Sequence, residues 1–578
     1  MRHPDFRQIG LIAALAAGPA MAQETEVAQP EATTAIAERD AVTARDYMVA
    51  SAHPEASAAG EAVLEAGGSA ADAAVAVQLM LNLVEPQSSG LGGGGFVLYW
   101  DAALGALTSF DARERAPLAA DETYWLGEDG EPMEFWDAVI GGRSVGVPGT
   151  PMLLETLHAR YGRLPWAGLV QPAIDAAEGG FTVSQRLADA IAEARELDAF
   201  EAAGGYFFGE DGAPLQEGAT RDNPDLARTL RLYQAHGAAP FYAGAIARDI
   251  VAAVQTESNP GMLAIEDLAD YTVVERAPVC IDYRDWEVCG MGPPSSGGLA
   301  VGQILGLLEG NDLAGLGDGV EARHLILEAS RLAFADRGLY MADSDFVDMP
   351  GGLLDPGYLA ERAALIDPEA AMGEAEAGEP PWEDARTYAP DRPRPRAGTT
   401  HFVIVDGYGD MVSATTTIET GFGSRVMTGG FLLNNELTDF AFAPEADGAP
   451  VANRVEGGKR PRSSMAPTVV LRDGEPMLLA GSPGGANIIP YTAAALIAML
   501  DWEMDPQAAI DRPHSVNRNG PTNVEEGEGA EALAEALEAL GHEVTIQNLN
   551  SGLHAIRIGE DGLVGGADKR REGAVLGR

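Results

Sequence analysis

At 578 residues and 46% hydrophobic content, the chain exceeds an average single domain and can bury a large core. Its formal net charge of −50, with Lys459 and Lys569 the only lysines, repels nucleic acid and anionic lipid and excludes both as partners. No run of about 18 apolar residues follows the first thirty positions, so no membrane-spanning helix is expected, and the carboxylate-rich, lysine-poor composition points to a salty habitat.

In chain order, Arg2, His3 and Arg7 precede an apolar stretch over 9–17 and then Ala20-Met21-Ala22, a small-residue cleavage site before Gln23. Residues 1–22 therefore read as a signal peptide, which places the mature protein in the periplasm or outside the cell. Residues 23–44, rich in Ala, Glu and Thr, read as a solvated, disordered tail. Residues 58–83 predict two apolar helices broken at Gly67-Gly68, followed by strands over 96–100 and 107–110. Between them, Gly90-Leu-Gly-Gly-Gly-Gly95 has the spacing of a dinucleotide fingerprint, but a strand follows where that fingerprint needs a helix. A close backbone approach near a site is the preferred reading, with a flexible loop as the other.

Cys280 and Cys289 would face one another if Arg284-Asp285 were a two-residue hairpin turn. An exported protein permits that disulfide, but Arg-Asp is a poor turn dipeptide, so paired and free thiols both stay open. The segment 373–398 crowds Glu, Ala, Pro and Arg and predicts an exposed strap. After it, 400–406 and 411–419 are rich in β-branched residues and predict a hairpin, with further strands over 468–471, 476–480 and 554–558 and a helix over 530–540. Strands and long apolar helices on both sides of the strap favour sheets covered by helices.

The chain contains no Gly-x-Ser-x-Gly elbow, and its nine histidines show no metal-binding spacing. His401 reads as a packed polar residue sooner than as a base. The chemistry concentrates at Gly398-Thr399-Thr400-His401. A threonine hydroxyl needs a base within hydrogen-bond reach, and scission before Thr399 would free an α-amine, of unperturbed pKa about 8, on the same residue. A symmetric four-residue turn sets Thr400 opposite Thr417; a one-residue slip sets Thr399 there. Glu419, alternating with Thr417, would share its face and could receive a cationic amine. The alternative reading is that the threonines at 415–417 are good strand formers and nothing more. Gly481-Ser-Pro-Gly-Gly485 could aim N–H groups at an oxyanion, or be a plain turn.

Seven ordered motifs then carry a resemblance: Glu85-Pro-Gln-Ser-Ser-Gly90 running into the glycine loop, Asp111-Ala-Arg-Glu-Arg-Ala-Pro117, Pro293-Pro-Ser-Ser-Gly-Gly298, Gly398-Thr-Thr-His401, Leu433-Asn-Asn-Glu-Leu-Thr-Asp-Phe440, Lys459-Arg-Pro-Arg-Ser-Ser-Met465 and Gly481-Ser-Pro-Gly-Gly485. Over nearly all of its mature length the chain resembles γ-glutamyltransferases. The resemblance implies an α+β fold, the four-layer αββα sandwich of N-terminal-nucleophile hydrolases, with one domain built from both fragments of a self-cleaved precursor. It implies cleavage between Gly398 and Thr399 into a large subunit (45–398) and a small subunit (399–578) that stay together as a heterodimer. It implies that Thr399 is the nucleophile, Thr417 its hydroxyl partner, and Gly484 and Gly485 the oxyanion-binding amides. Arg113, Ser463 and Ser464 would bind the α-carboxylate of a γ-glutamyl donor, and Glu419, Glu436 and Asp439 its α-amine. No cofactor or metal is implied; the substrates would be small molecules, glutathione or related γ-glutamyl compounds, with water or an amino acid as acceptor.

The chain departs from many members, which carry Asn at the position of Glu419 and Gln at that of Glu436, so its amine pocket is more acidic. Its 440–462 stretch is shorter than in members with an aromatic lid, which could open the site to bulkier donors. Two alternatives follow: a glutaryl-cephalosporin-type acylase of the same fold, and a catalytically silent periplasmic binding protein.

Overall fold

The computed structural model describes residues 36–383, 385–391 and 398–578. The expected signal peptide over 1–22, most of the expected tail, and residues 392–397 of the strap lie outside them. Two seven-stranded antiparallel sheets form the centre. The first has the spatial order Ala574–Gly577, Met48–Ser51, Thr399–Val405, Met411–Thr417, Gly94–Asp101, Ala106–Ala112 and Val274–Arg276. The second runs Val42–Ala44, Gly562–Ala567, His554–Gly559, Glu475–Gly481, Thr468–Arg472, Trp286–Gly290 and Val279–Tyr283.

The sheets meet through an apolar layer that includes Met48, Leu98, Val403, Val469 and Leu479. The outer face of the first sheet, with Val97, Phe402 and Ile404, is covered by Ala70–Val84, Thr150–Tyr161 and Trp166–Gly179. Val470 and Leu478 on the outer face of the second are covered by Gly297–Leu308, Val320–Tyr340 and Ile488–Leu500. This is the expected αββα sandwich. Because both faces of Thr399–Val405 are covered, all seven of its residues are buried and no polar alternation marks it. The first sheet interleaves strands from both sides of the Gly398–Thr399 bond, so neither side could complete it alone.

The helix break at Gly67-Gly68 is as expected: Gly67 takes φ 82, and Ser69 then caps Ala70–Val84 in a reciprocal box with Asp72. Cys280 and Cys289 stand opposite one another in register and are joined as a disulfide. The Arg-Asp turn is tolerated because Arg284, at φ 56, is tied down by Asp501 at 3.1 Å and the Asn311 carbonyl at 2.7 Å. Two boundaries need correction. The tail does not extend to residue 44: Arg39 already donates to the carbonyls of Asp568 and Arg571, and Val42–Ala44 is an edge strand paired with Gly562–Ala567. The strand after the hairpin loop stops at Thr417 and not at Glu419.

Candidate active site

Thr399 opens its strand directly opposite Thr417, the slipped of the two registers considered. The cause is a five-residue loop, 406–410, built on one carboxylate. Asp406 accepts hydrogen bonds from the N–H groups of Tyr408 (2.8 Å), Asp410 (2.9 Å) and Ala70 (2.7 Å). Val405 then faces Met411, and the register propagates to the strand end.

At that end three groups converge on the Thr417 hydroxyl. It accepts from the N–H of Glu419 (2.8 Å) and from the hydroxyl of Thr399 (3.3 Å), and donates to the Gly398 carbonyl oxygen (2.6 Å). One donor and two acceptor sites exhaust a hydroxyl. Gly398 has no room for a side chain, since a Cβ there would lie 2.2 Å from the Glu419 carbonyl oxygen. The glycine-rich loop makes the expected close approach: a Cβ on Gly93 would sit 1.9 Å from the Thr417 carbonyl oxygen. His401 is a packed residue, as expected, with Nδ1 2.8 Å from Thr415 Oγ1. Burial, helped by His554, holds its pKa well below the usual range.

Nine of the ten predicted site residues border one open cleft, Gly484 being the exception. Gly484 and Gly485, at φ 131 and 57, lead into the N-terminus of Ile488–Leu500, where the helix dipole favours negative charge. Glu419 borders the cleft for a different reason from the one expected. It lies beyond the strand at φ 81, so alternation does not place it; the turn does, and Asn435 Nδ2 holds its carboxylate at 3.1 Å.

The electrostatics rearrange one expectation. Arg113 is ion-paired to Glu436 and, at 2.5 Å, to Asp439, the two carboxylates expected to hold a ligand's amine. Burial opposes the Arg113 charge, but Glu436, Asp439 and Glu114 outweigh it and raise its pKa. Glu114 has a pKa pushed up to about 7, by burial first, with Arg113 opposing. Burial and Glu114 also raise Glu436 well above the carboxylate range, against the pull of Arg113. Both oxygens of Glu114 and Oε2 of Glu436 have no partner as acceptors alone, and a proton shared by the pair would satisfy one oxygen of each. The cleft thus holds its own cation against its own anions.

Arg337 and Arg462 also border the cleft and were not anticipated. Arg337 comes from Val320–Tyr340, a 21-residue helix on which Glu328, Arg331, Asp336 and Arg337 are all buried. Charged residues spread around a long helix with no apolar stripe were the available signal.

A family model described as Gamma-glutamyltranspeptidase matches residues 56–578. The glutathione hydrolase proenzyme of Bacillus subtilis (strain 168) is 38% identical over 547 residues, covering 92% of each chain. That of Escherichia coli (strain K12) is 35% identical over 592 residues, covering 99% of this chain and 98% of its own. Among solved structures, the cephalosporin acylase from Bacillus halodurans superposes with a TM-score of 0.82 at 28% identity, covering 94% of this chain and 97% of that one.

Proposed function

The chain belongs to the gamma-glutamyltranspeptidase family, and from that premise we propose that Thr399, freed by scission after Gly398, is the nucleophile of its reaction. The protein is an autoprocessed γ-glutamyl hydrolase and transferase acting on small molecules. One observation carries the residue assignment: the Thr417 hydroxyl bridges the Thr399 hydroxyl and the carbonyl oxygen of Gly398.

In the precursor, Thr399 Oγ attacks the Gly398 carbonyl carbon. The Oγ–C bond forms, the C–N bond to Thr399 breaks, and the resulting ester is hydrolysed by water. Charge develops on the oxygen that Thr417 already donates to, and Glu419 N–H keeps that hydroxyl oriented. The products are a large subunit ending at Gly398 and a small subunit of residues 399–578, held together by the shared sheet. The new α-amine then takes the hydroxyl proton as Thr399 attacks a donor's γ-carbonyl. Gly485, the member of the glycine pair that borders the cleft, faces the oxyanion, and collapse releases the amine and leaves an acyl-enzyme for water or an amino acid to resolve.

A γ-glutamyl group is a zwitterion at its α-carbon. On entry its carboxylate replaces Glu436 and Asp439 as partners of Arg113, and its ammonium replaces Arg113 as their partner, so no buried charge is left alone. A glutaryl group lacks the ammonium and would strand the carboxylates, which argues against the acylase alternative. Among the described residues no helix is long and apolar enough to cross a membrane, and the signal-like N-terminus supports a periplasmic or secreted protein.

Intact-mass analysis with a γ-glutamyl anilide assay tests the reading. We expect two chains, release of the aniline, and turnover of the glutaryl anilide lower by about tenfold or more. Thr399→Ala should remain one uncut band. Normal processing in that variant, or active material that is a single polypeptide, overturns the assignment.

A further inference from the structure

The charges bordering the cleft are unequally partnered. Arg113 has Glu436 and Asp439, and Arg462 has Asp391 at 2.7 Å. Arg337, 3% exposed, makes no ion pair among the described residues. Its hydrogen bonds go to neutral hydroxyls, Nε to Ser296 Oγ at 2.8 Å and Nη2 to Ser464 Oγ at 2.7 Å. A buried guanidinium with no carboxylate in contact is costly even with Asp391 and Asp439 in the neighbourhood, and the arrangement persists only where the surroundings impose it or a ligand completes it.

The two hydroxyls show how a ligand would complete it. Ser296 Oγ accepts from Arg337 and donates to the Ser463 carbonyl at 2.6 Å, which fixes the backbone of the serine pair. Ser464 Oγ accepts from Arg337, so its single hydrogen points away from the guanidinium, and no described protein atom receives it. Ser464 borders the cleft and is partly exposed. The cleft therefore presents an O–H donor polarised by an unpaired cation directly behind it.

We propose that Arg337 is a positioning residue for the donor's α-carboxylate, supplying through Ser464 the positive charge that Arg113, already paired to two carboxylates, does not supply alone. The proposal rests on the γ-glutamyl reading above. Arg337 adds to the pull of Arg113 on the carboxylate at the serine pair while Glu436 and Asp439 take the ammonium, and the two pulls orient the glutamyl unit along the cleft. Burial, then Arg462, depress the Arg337 pKa against the opposing pull of Asp391 and Asp439, so an arriving carboxylate would favour its charge further.

The test compares a γ-glutamyl anilide with a γ-aminobutyryl anilide, the same amide without the α-carboxylate. Arg337→Gln should raise KM for the γ-glutamyl anilide about tenfold or more, change kcat by less than about threefold, and leave kcat/KM for the γ-aminobutyryl anilide unchanged. Arg337→Lys should recover part of the loss, since it keeps the charge but not the fork. In a Ser464→Ala background the same Gln substitution should cost less than in the wild type. An unshifted KM, or equal losses on both anilides, overturns the proposal. If Arg337→Gln fails to self-cleave, Arg337→Lys carries the comparison, and equal behaviour on the two anilides again overturns it. Wild-type protein that turns over no γ-glutamyl anilide removes the functional reading as well; wild-type turnover with an unshifted variant KM removes this inference alone.

Discussion

At the scale of single residues, the Thr417 hydroxyl has two jobs that one atom group performs together. It accepts from the Thr399 hydroxyl and donates to the Gly398 carbonyl oxygen, which in the proposed mechanism becomes the oxyanion of self-cleavage. Removing one such donor costs roughly 10²- to 10³-fold in rate elsewhere. Thr417→Ala should therefore slow processing about a hundredfold, while Thr417→Ser, which keeps Oγ, should process within about tenfold of the wild type. A gel time course on freshly purified precursor measures both, and an alanine variant cleaved at the wild-type rate would show the hydroxyl to be a bystander. Arg571 also holds the proposed nucleophile, donating to the Thr399 carbonyl at 3.2 Å. Thr399 is thus tied both to Thr417 and to the C-terminal segment.

At the scale of elements, the hairpin that carries both threonines is aligned by its loop and pressed from the flank by the glycine-rich turn. A Cβ on Gly93 meets the backbone oxygen of Thr417, which has nowhere to retreat because the strand pairs with Thr399–Val405 on its other edge. Gly93→Ala should displace Thr417 and slow self-cleavage by about tenfold or more while the chain still folds, because misplacement by about 1 Å can cost a hundredfold. Far-ultraviolet circular dichroism checks the fold and intact mass the processing; rapid, complete cleavage would mean that the backbone yields. The same region marks what was legible beforehand. The β-branched runs and the helix break at Gly67-Gly68 are local signals, and each lies within two residues of where the sequence put it. The register was not legible, because it depends on Asp406 collecting three N–H groups, one of them from the distant Ala70. Glu419 was placed in the cleft by an alternation that ends two residues before it. Arg337 was missed because its significance depends on which carboxylates its neighbours have already taken, and that requires three dimensions.

At the scale of the whole molecule, the charge imbalance sets the stability argument. With 88 acidic against 38 basic side chains, 50 carboxylates would lack a partner even if every cation paired with one. Several cations are not available to the surface at all: Arg113, Arg186, Arg570 and Arg571 are buried, and Lys459 is turned inward to the Ala452 carbonyl at 2.8 Å. The folded state therefore concentrates negative charge that the unfolded chain would spread over a larger volume, and repulsion favours unfolding at low ionic strength. Salt shortens the Debye length from about 10 Å at 0.1 M to about 3 Å at 1 M, which weakens this repulsion. It also weakens exposed ion pairs such as Arg228 with Asp225, but pairs of that kind contribute only about 0–1 kcal/mol each. The unpaired excess decides the sign, so the unfolding midpoint should rise by several degrees between about 0.1 M and 1 M sodium chloride. Sucrose, which stabilises by exclusion without screening, provides the control. A midpoint that stays level in salt, or rises no more in salt than in an equally concentrated sucrose series, would show that the carboxylate excess is tolerated without ionic help.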